Sequence, residues 1–432
     1  MTKSKFSFIV IALGLASCGG DDPAEGSKTS GATAVTPSSG ISAEPWDGPD
    51  HEDDFGRFMI HRVTDESIKA WSKEKESGGG WLTIGNGCSQ EEFNKCNQPE
   101  GVLELEIDHG NVRISDFSPV AGLSKLKRFN ANSLEASQNN PIDLSPLADL
   151  GDLEEVDFYA TRVANTDALA GKEKLRRVSL YMSAVDSIDF LTTTPGVLEL
   201  SLYGFEHTFK DYSPLLKLPV LRNLDIYMNK QATDELLAPL AELTTLEEIS
   251  MSNCDQVTSF GFLKGCKDIK VINANWCTKL ADISDLAELK QLQRVEIADL
   301  PIDDLSAFTG NSNLDELDIS GTKITDLAGL SGCTNLKSLD VSETEVADIS
   351  ILGECAGLQK LVLKATAVSD LSPLSACSGL SWLDIRGSKV SDLTPLLELK
   401  SMRSLVVDEK FPTAQVDAIK EAIPTLEVRI EN

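Results

Sequence analysis

The chain has 432 residues, and 39 Lys+Arg against 68 Asp+Glu give it a net charge of −29. That balance excludes a nucleic-acid-binding surface, which needs clustered cations, and a hydrophobic content of 41% excludes wholesale disorder. Aromatic residues make up only 6% and cysteines number nine, too few for a disulfide scaffold at this length, so each is read by its position.

The N-terminus carries Lys3 and Lys5, an apolar run from Phe6 to Leu15, and then Leu15-Ala16-Ser17-Cys18. The run is too short to span a bilayer and has the length of a signal-peptide core. Leu-Ala-Ser-Cys resembles the lipobox of bacterial lipoproteins, which implies removal of residues 1–17 and lipidation of the Cys18 thiol. Acyl chains at Cys18 would hold the protein to a membrane, each buried CH₂ contributing about 0.8 kcal/mol. The expected location is therefore the bacterial cell envelope, at the outer membrane or cell surface. Residues 18–45 are rich in Gly, Ser, Thr, Pro, Ala and Asp and read as a flexible tether. The acidic stretch Asp47 to Asp54, with His51 inside it, lacks EF-hand spacing and reads as a solvated linker. Residues 46–104 are expected to form an N-terminal cap containing Trp71, Trp81, Cys88 and Cys96. In an exported chain Cys88 and Cys96 are expected to form a disulfide.

From Leu105 onward the sequence repeats itself. Leu317, Leu339, Leu361, Leu383 and Leu405 recur at a constant spacing of 22, in units such as Leu317-Asp318-Ile319-Ser320-Gly321-Thr322-Lys323-Ile324-Thr325-Asp326-Leu327. Equivalent reference positions run back through Val295, Ile272, Ile249, Leu224, Leu200, Val178, Val156 and Phe129 to Leu105, at spacings of 22 to 27. Alternation such as Leu317 and Ile319 makes a short strand with one buried face. Ile324 then turns inward, and Leu327 and Leu330 cover the opposite side. One unit cannot close its own core, so each is stabilised by stacking on the next.

This pattern resembles the leucine-rich repeat across about 105–410. The resemblance implies an α/β solenoid of about 14 coils, a horseshoe with a parallel concave sheet and short helical or 3-10 convex segments. The convex segments carry Asp116-Phe117-Ser118-Pro119, Asp143-Leu144-Ser145-Pro146, Asp211-Tyr212-Ser213-Pro214, Asp370-Leu371-Ser372-Pro373 and Asp392-Leu393-Thr394-Pro395. Ser or Thr before Pro suits a cap followed by a pre-set φ. The repeat looks like the 22-residue internalin type of bacterial surface proteins, with one departure. Thr322, Thr344, Thr366 and Ser388, with Cys254 and Cys277, stand where the inward ladder usually has Asn. Residues 411–432 are expected to cap the far end, with Thr413 as the N-cap of a helix containing Val416, Ile419 and Ile423 and a last strand from Leu426 to Ile430.

Cys266, Cys333, Cys355 and Cys377 share one inward column, six positions before a reference residue, and read as small buried thiols. No His shares that column, so no metal site is expected there.

The outward positions locate a candidate binding face. Three places past each reference, the column reads Asp108, Asn132, Tyr159, Tyr181, Tyr203, Tyr227, Ser252, Asn275, Ala298, Ser320, Ser342, Lys364, Arg386 and Asp408. Four of five tyrosines thus stand on consecutive strands, with Met182, Met228 and Trp276 one residue further on and Asp157 and Asp225 beside them. Two readings stand: a cross-strand ladder that stabilises the sheet, or a binding hot spot. A second outward column, Glu106, Asp157, Asp225, Glu296, Asp318, Asp340 and Asp384, would steer a basic partner or simply aid solubility.

No catalytic function is expected. His51, His61, His109 and His207 are scattered without metal-ligand spacing, and no G-x-S-x-G, P-loop or H-E-x-x-H occurs. Bacterial ubiquitin ligases with similar repeats carry a catalytic domain after them, and the short stretch from Val406 to Asn432 leaves no room for one. The expected function is a monomeric, lipid-anchored, extracytoplasmic module that binds a protein or peptide, with no cofactor and no nucleic acid. The alternatives are a glycan or cell-wall ligand, since tyrosines beside carboxylates also suit sugar rings, and a purely structural envelope role.

Overall fold

Fourteen reference residues, each buried in the core, fall opposite one another strand by strand in the computed structural model. The structure describes residues 51–52, 58–60, 80–85, 88–97, 101–107, 114–134, 140–183, 185–204, 207, 209–409 and 411–431. All of them belong to the unit Pro45–Asn432, and the separate unit Met1–Glu44 lies outside them. The signal sequence, Cys18, the tether, His61, Trp71, Asp108 and His109 therefore lie outside the described residues. So do the side chains of His51 and Cys96, and with them the Cys88–Cys96 pairing, although Cys88 itself is buried.

The repeat strands pair in parallel within one 18-stranded sheet. That sheet continues on both sides of the repeats read from the sequence. Leu82, in Gly80–Ile84, sits opposite Leu105, and Phe58–Ile60 pairs alongside it in parallel. Glu427–Ile430 adds a parallel strand after Ser404–Val407. His51–Glu52 closes the N-terminal side antiparallel to Phe58–Ile60.

Each return segment is short and mostly 3-10, for example Ser118–Gly122, Ser213–Lys217 and Ser372–Ala376. The cap differs from the sequence expectation. The residue in the N-cap position is Phe117, Leu144, Tyr212, Leu371 or Leu393, and none of these makes a side-chain cap bond. Ser or Thr is the first helical residue, and its own N–H is accepted by the aspartate two positions earlier. Asp116, Asp143, Asp211, Asp370 and Asp392 do this at 2.7–2.8 Å. The same bond forms without proline, at Asp282 to Ser284, Asp304 to Ser306 and Asp348 to Ser350. A carboxylate oxygen accepting the first orphan N–H is what starts each of these turns. At the far end Pro412, not Thr413, takes the N-cap position of the helix Thr413–Ala422, which buries Val416 and Ile419.

Inside the coil the substituted ladder works as expected of hydroxyls and thiols. Thr322, Thr344, Thr366 and Ser388 donate at 2.6–2.8 Å to the carbonyl three positions back. Cys254 and Cys277 instead donate across to Ile226 and Met251 in the preceding coil, at 3.3 and 3.2 Å. Cys266, Cys333, Cys355 and Cys377 are buried and donate to carbonyls of the preceding coil. Burial pushes the Cys266, Cys333 and Cys377 thiols up to about 11, so they stay protonated and unreactive.

The aspartates that start the turns give a measurable signature. Serine or threonine donors hold Asp143, Asp304 and Asp392 below the ordinary 3.8. A carboxyl lowered on folding contributes stability above its unfolded pKa, and that stability is lost as pH falls through the folded value. Asp143→Asn, Asp304→Asn and Asp392→Asn combined should flatten the acid-unfolding curve below about pH 4. Circular dichroism showing the same acid limb as the parent would contradict this role.

Candidate functional site

The outward face is built from two positions in each strand, flanking the reference residue, and two residues just past the strand. From Glu104 to Glu199 the position before the reference residue forms an alternating charge ladder. Arg128 pairs with Glu104 at 2.9 Å, and Arg177 bridges Glu155 and Glu199 at 3.3 and 2.7 Å. These half-exposed pairs neutralise one another and hold adjacent strands, each contributing a fraction of a kcal/mol, on the order of 0.2–1.

The position after each reference residue is different. Asp157, Asp225, Glu296, Asp318 and Asp340 stand there half-buried, and among the described residues none of them is in an ion pair. Ser201 donates to Asp225 at 3.0 Å and the Tyr227 N–H at 2.9 Å. Asn273 donates to Glu296 at 2.7 Å, and Ser320 and Ser342 donate to Asp318 and Asp340 at 2.7 and 2.6 Å. Burial pushes the carboxyls of Asp157, Asp225, Glu296 and Asp340 above their ordinary values, with Asp318 adding repulsion at the last two. Asp384, read from sequence as part of this open column, is not available. It is buried and clamped by Arg386 at 2.6 Å, and Arg386 also reaches Glu431 at 2.7 Å.

The tyrosine column forms one stack. Ring centroids lie 4.2 Å apart for Tyr159–Tyr181, 3.8 Å for Tyr181–Tyr203 and 4.7 Å for Tyr203–Tyr227, all within 21° of parallel. The faces of Tyr181 and Tyr203 are thus occupied by their neighbours, and the stack offers partners its edges and hydroxyls. The Tyr203 hydroxyl donates to Met228 Sδ at 3.0 Å, and Tyr227 Oη accepts from Asn253 at 3.2 Å. Burial raises both the Tyr181 and Tyr203 phenols, keeping them as donors at any physiological pH. The fifth tyrosine, Tyr212, is buried in the core and accepts from Asn229 at 2.8 Å.

One residue past the tyrosine position the backbone turns left-handed in coil after coil. Ser133, Ala160, Met182, Gly204, Met228, Asn253, Trp276, Asp299, Gly321, Glu343, Ala365 and Gly387 all have positive φ. The N–H there donates to the carbonyl at the tyrosine position of the next coil, as Met182 to Tyr203 at 2.7 Å and Gly204 to Tyr227 at 3.0 Å. Glycine meets this geometry without strain, while Met182, Met228 and Trp276 carry large side chains there at a cost of roughly 1–2 kcal/mol each. Trp276 remains 46% exposed and Tyr159 42%, the two large apolar side chains of this face that stay open to solvent. Asn275 is buried instead, its Oδ1 accepting the Ala298 N–H at 2.7 Å, so it braces the neighbouring coil.

Sequence reading thus placed the tyrosines, methionines, Trp276, Asp157 and Asp225 on one face, and the structure brings them together there. What it missed was the left-handed column, whose signal was the recurrence of Gly204, Gly321 and Gly387 at one register. Among the described residues no group of three or more His, Cys, Asp or Glu is placed to hold a metal ion. His207 is buried, with Nδ1 accepting from the Val185 N–H at 3.4 Å, and burial keeps it neutral.

Comparison with known proteins agrees with this geometry. The fold is that of a leucine-rich-repeat solenoid, and the family model for leucine-rich repeats (2 copies) matches residues 312–354. An internalin (InlF) from Listeria monocytogenes is 25% identical, with a TM-score of 0.59, over 73% of this chain and 88% of that one. A leucine-rich-repeat protein of Leptospira interrogans aligns with a TM-score of 0.72 at 16% identity, over 85% and 92% of the two chains. The mouse RP105/MD-1 complex contains a chain that aligns at 0.60 and 15% identity, over 81% and 63%. No curated protein matches in sequence.

The strained column makes a stability prediction. Met182→Gly and Trp276→Gly should each stabilise the chain by up to about 1 kcal/mol, because the left-handed backbone no longer carries a Cβ. A loss of similar size in urea unfolding would mean that side-chain packing outweighs the backbone effect.

Proposed function

We propose that the protein is a non-catalytic binding module whose concave face takes a basic protein or peptide across Tyr159, Tyr181, Tyr203, Tyr227 and Trp276. The observation that carries this reading is the set of half-buried carboxylates that close no ion pair among the described residues. Carboxylates kept for solubility lie exposed, where they cost nothing. Asp157, Asp225, Glu296 and Asp340 lose hydration on folding and receive hydrogen bonds only from serine, asparagine and backbone donors. Arg177, Arg294 and Lys360 attract Asp157, Glu296 and Asp340 without closing an ion pair, and burial still outweighs them. A cationic partner group supplies the missing charge in a partly desolvated site, where the attraction is larger than in bulk water. Large side chains retained at strained backbone positions on the same face support the same conclusion.

The stack itself stabilises the sheet as well, since each aromatic pair contributes about 0.5–1.5 kcal/mol. Stabilising the sheet and contacting a partner are compatible roles for the tyrosine column. A sugar ligand fits less well, because stacking on a sugar needs a free ring face and those of Tyr181 and Tyr203 are covered.

We further infer that the module is tethered outside the cytoplasm by acyl chains on Cys18, with residues 18–45 as its leash and a Cys88–Cys96 disulfide at the N-terminal side. The lipobox-like Leu15-Ala16-Ser17-Cys18 supports the anchor. Mass spectrometry of the membrane fraction should find an acylated N-terminal Cys18 and the Cys88–Cys96 bond, and Cys18→Ser should move the protein to the soluble fraction. Unmodified Cys18, or free Cys88 and Cys96 thiols, would remove the corresponding inference.

Binding and stability should separate in two variants. Tyr181→Phe with Tyr203→Phe keeps the stack, so unfolding should shift by less than about 0.5 kcal/mol, while loss of two hydroxyls at the centre weakens partner capture roughly tenfold or more. For Asp225 the raised carboxyl means that stability is full below the unfolded pKa and declines as pH rises through the folded one. Asp225→Asn should therefore leave the fold as stable or more stable at pH 7, yet weaken capture and reduce its salt dependence. Isothermal titration against the captured partner checks both, and undiminished affinity in both variants would refute the concave-face reading.

A further inference from the structure

Resting on that reading of the concave face, we propose that Trp276, with the carboxylates of Asp299 and Glu296 on the next coil, forms an anchor for one arginine or lysine side chain of the protein partner. Trp276 is exposed at φ 59°, and its N–H donates to the Ala298 carbonyl at 2.9 Å, which fixes its backbone beside the strand that carries Glu296. Asp299 holds the same left-handed position one coil on, at φ 58°, and is exposed.

The fold itself shows what an acidic residue does at this position when a cation is within reach. Glu343, two coils further along, pairs at 3.0 Å with Lys364, which stands at the tyrosine position of the following coil. For Asp299 the equivalent neighbour is Ser320, whose hydroxyl is given to Asp318 at 2.7 Å. Among the described residues no ion pair includes Asp299. Glu296 is in the same condition. Its donors are the Asn273 and Asn275 amides at 2.7 and 3.5 Å, and Arg294 on the same strand is engaged by Glu316 at 2.5 Å. The place next to Trp276 thus has an open indole and two carboxylates outside any ion pair, Arg294 attracting Glu296 from its own strand but giving its hydrogen bond to Glu316.

An ammonium or guanidinium lying on an indole face is attracted by the ring quadrupole, and flanking carboxylates add charge-assisted hydrogen bonds. Among the described residues the chain already makes such a ring contact, with Lys360 Nζ 5.4 Å from the Trp382 ring centroid. Arginine suits the anchor better than lysine, because its planar group stacks on the ring while its edge reaches both carboxylates.

The test uses the full chain labelled with ¹⁵N at its five tryptophan indoles. Trp276→Phe assigns the Trp276 resonance. The probes are capped tetra-arginine and capped tetra-citrulline, which share shape and differ in charge. The Trp276 resonance should shift saturably with tetra-arginine and not with tetra-citrulline. Glu296→Gln with Asp299→Asn should weaken that binding at least fivefold, while Asp303→Asn, beside the return segment Ser306–Phe308, should change it less than twofold. The proposal is overturned if the Trp276 resonance stays in place while tetra-arginine binds elsewhere, or if the Glu296/Asp299 variant binds as the parent does. None of these residues is Tyr181 or Tyr203, so failure here leaves the tyrosine experiment standing, and failure there is seen without this one.

Discussion

The hydrogen bond from the left-handed residue of one coil to the carbonyl at the tyrosine position of the next organises this face. It carries the inter-coil ladder one step beyond the strand, to the point where the chain leaves the sheet. Ser133 to Tyr159, Met182 to Tyr203 and Gly204 to Tyr227 are three instances, at 2.6–3.0 Å. Because the bond is repeated, side chains at equivalent positions stand in line even where loop insertions lengthen the repeat, as between Phe129 and Val156. Four rings can then stack at 3.8–4.7 Å, slightly inside the strand spacing of about 4.8 Å.

The same constraint explains where the molecule accepts cost. A left-handed residue is needed at each coil, and Gly321 and Gly387 provide it without strain. In the aromatic half the position is held by Met182, Met228 and Trp276, which add apolar area at some expense in backbone energy. Beside them, carboxylates are desolvated without a direct ion pair. On the same face other charges are neutralised, through Arg128, Arg177 and the Arg386–Asp384 clamp. The convex side is held by aspartates whose bonds to turn N–H groups are favourable.

Much of the scaffold was legible in the sequence, because strand alternation and a near-constant period are local properties of the chain. Leu82-Thr83-Ile84 stands one repeat before Leu105 and belongs to the same register. It escaped notice because the segment after it lacks the Asp-x-Ser-Pro turn and instead carries the helix Gln90–Phe93, capped by Ser89. The turn aspartates were visible too, yet their role was given to the following serine. A residue that caps through its side chain and one that is capped through its N–H leave the same letters two places apart.

What the sequence determined alone was the period, the buried columns and the membership of each outward column, since these follow from which side of a strand a residue faces. It could list four tyrosines and seven carboxylates, but not what each would meet. Whether rings stack or splay depends on inter-coil spacing, and whether a carboxylate is open depends on the side chain one coil away. Asp340 and Asp384 occupy the same column two coils apart. Asp384 is buried under Arg386, whereas Asp340 has only serine and backbone donors, a difference made by the neighbouring coils and thus by the tertiary structure.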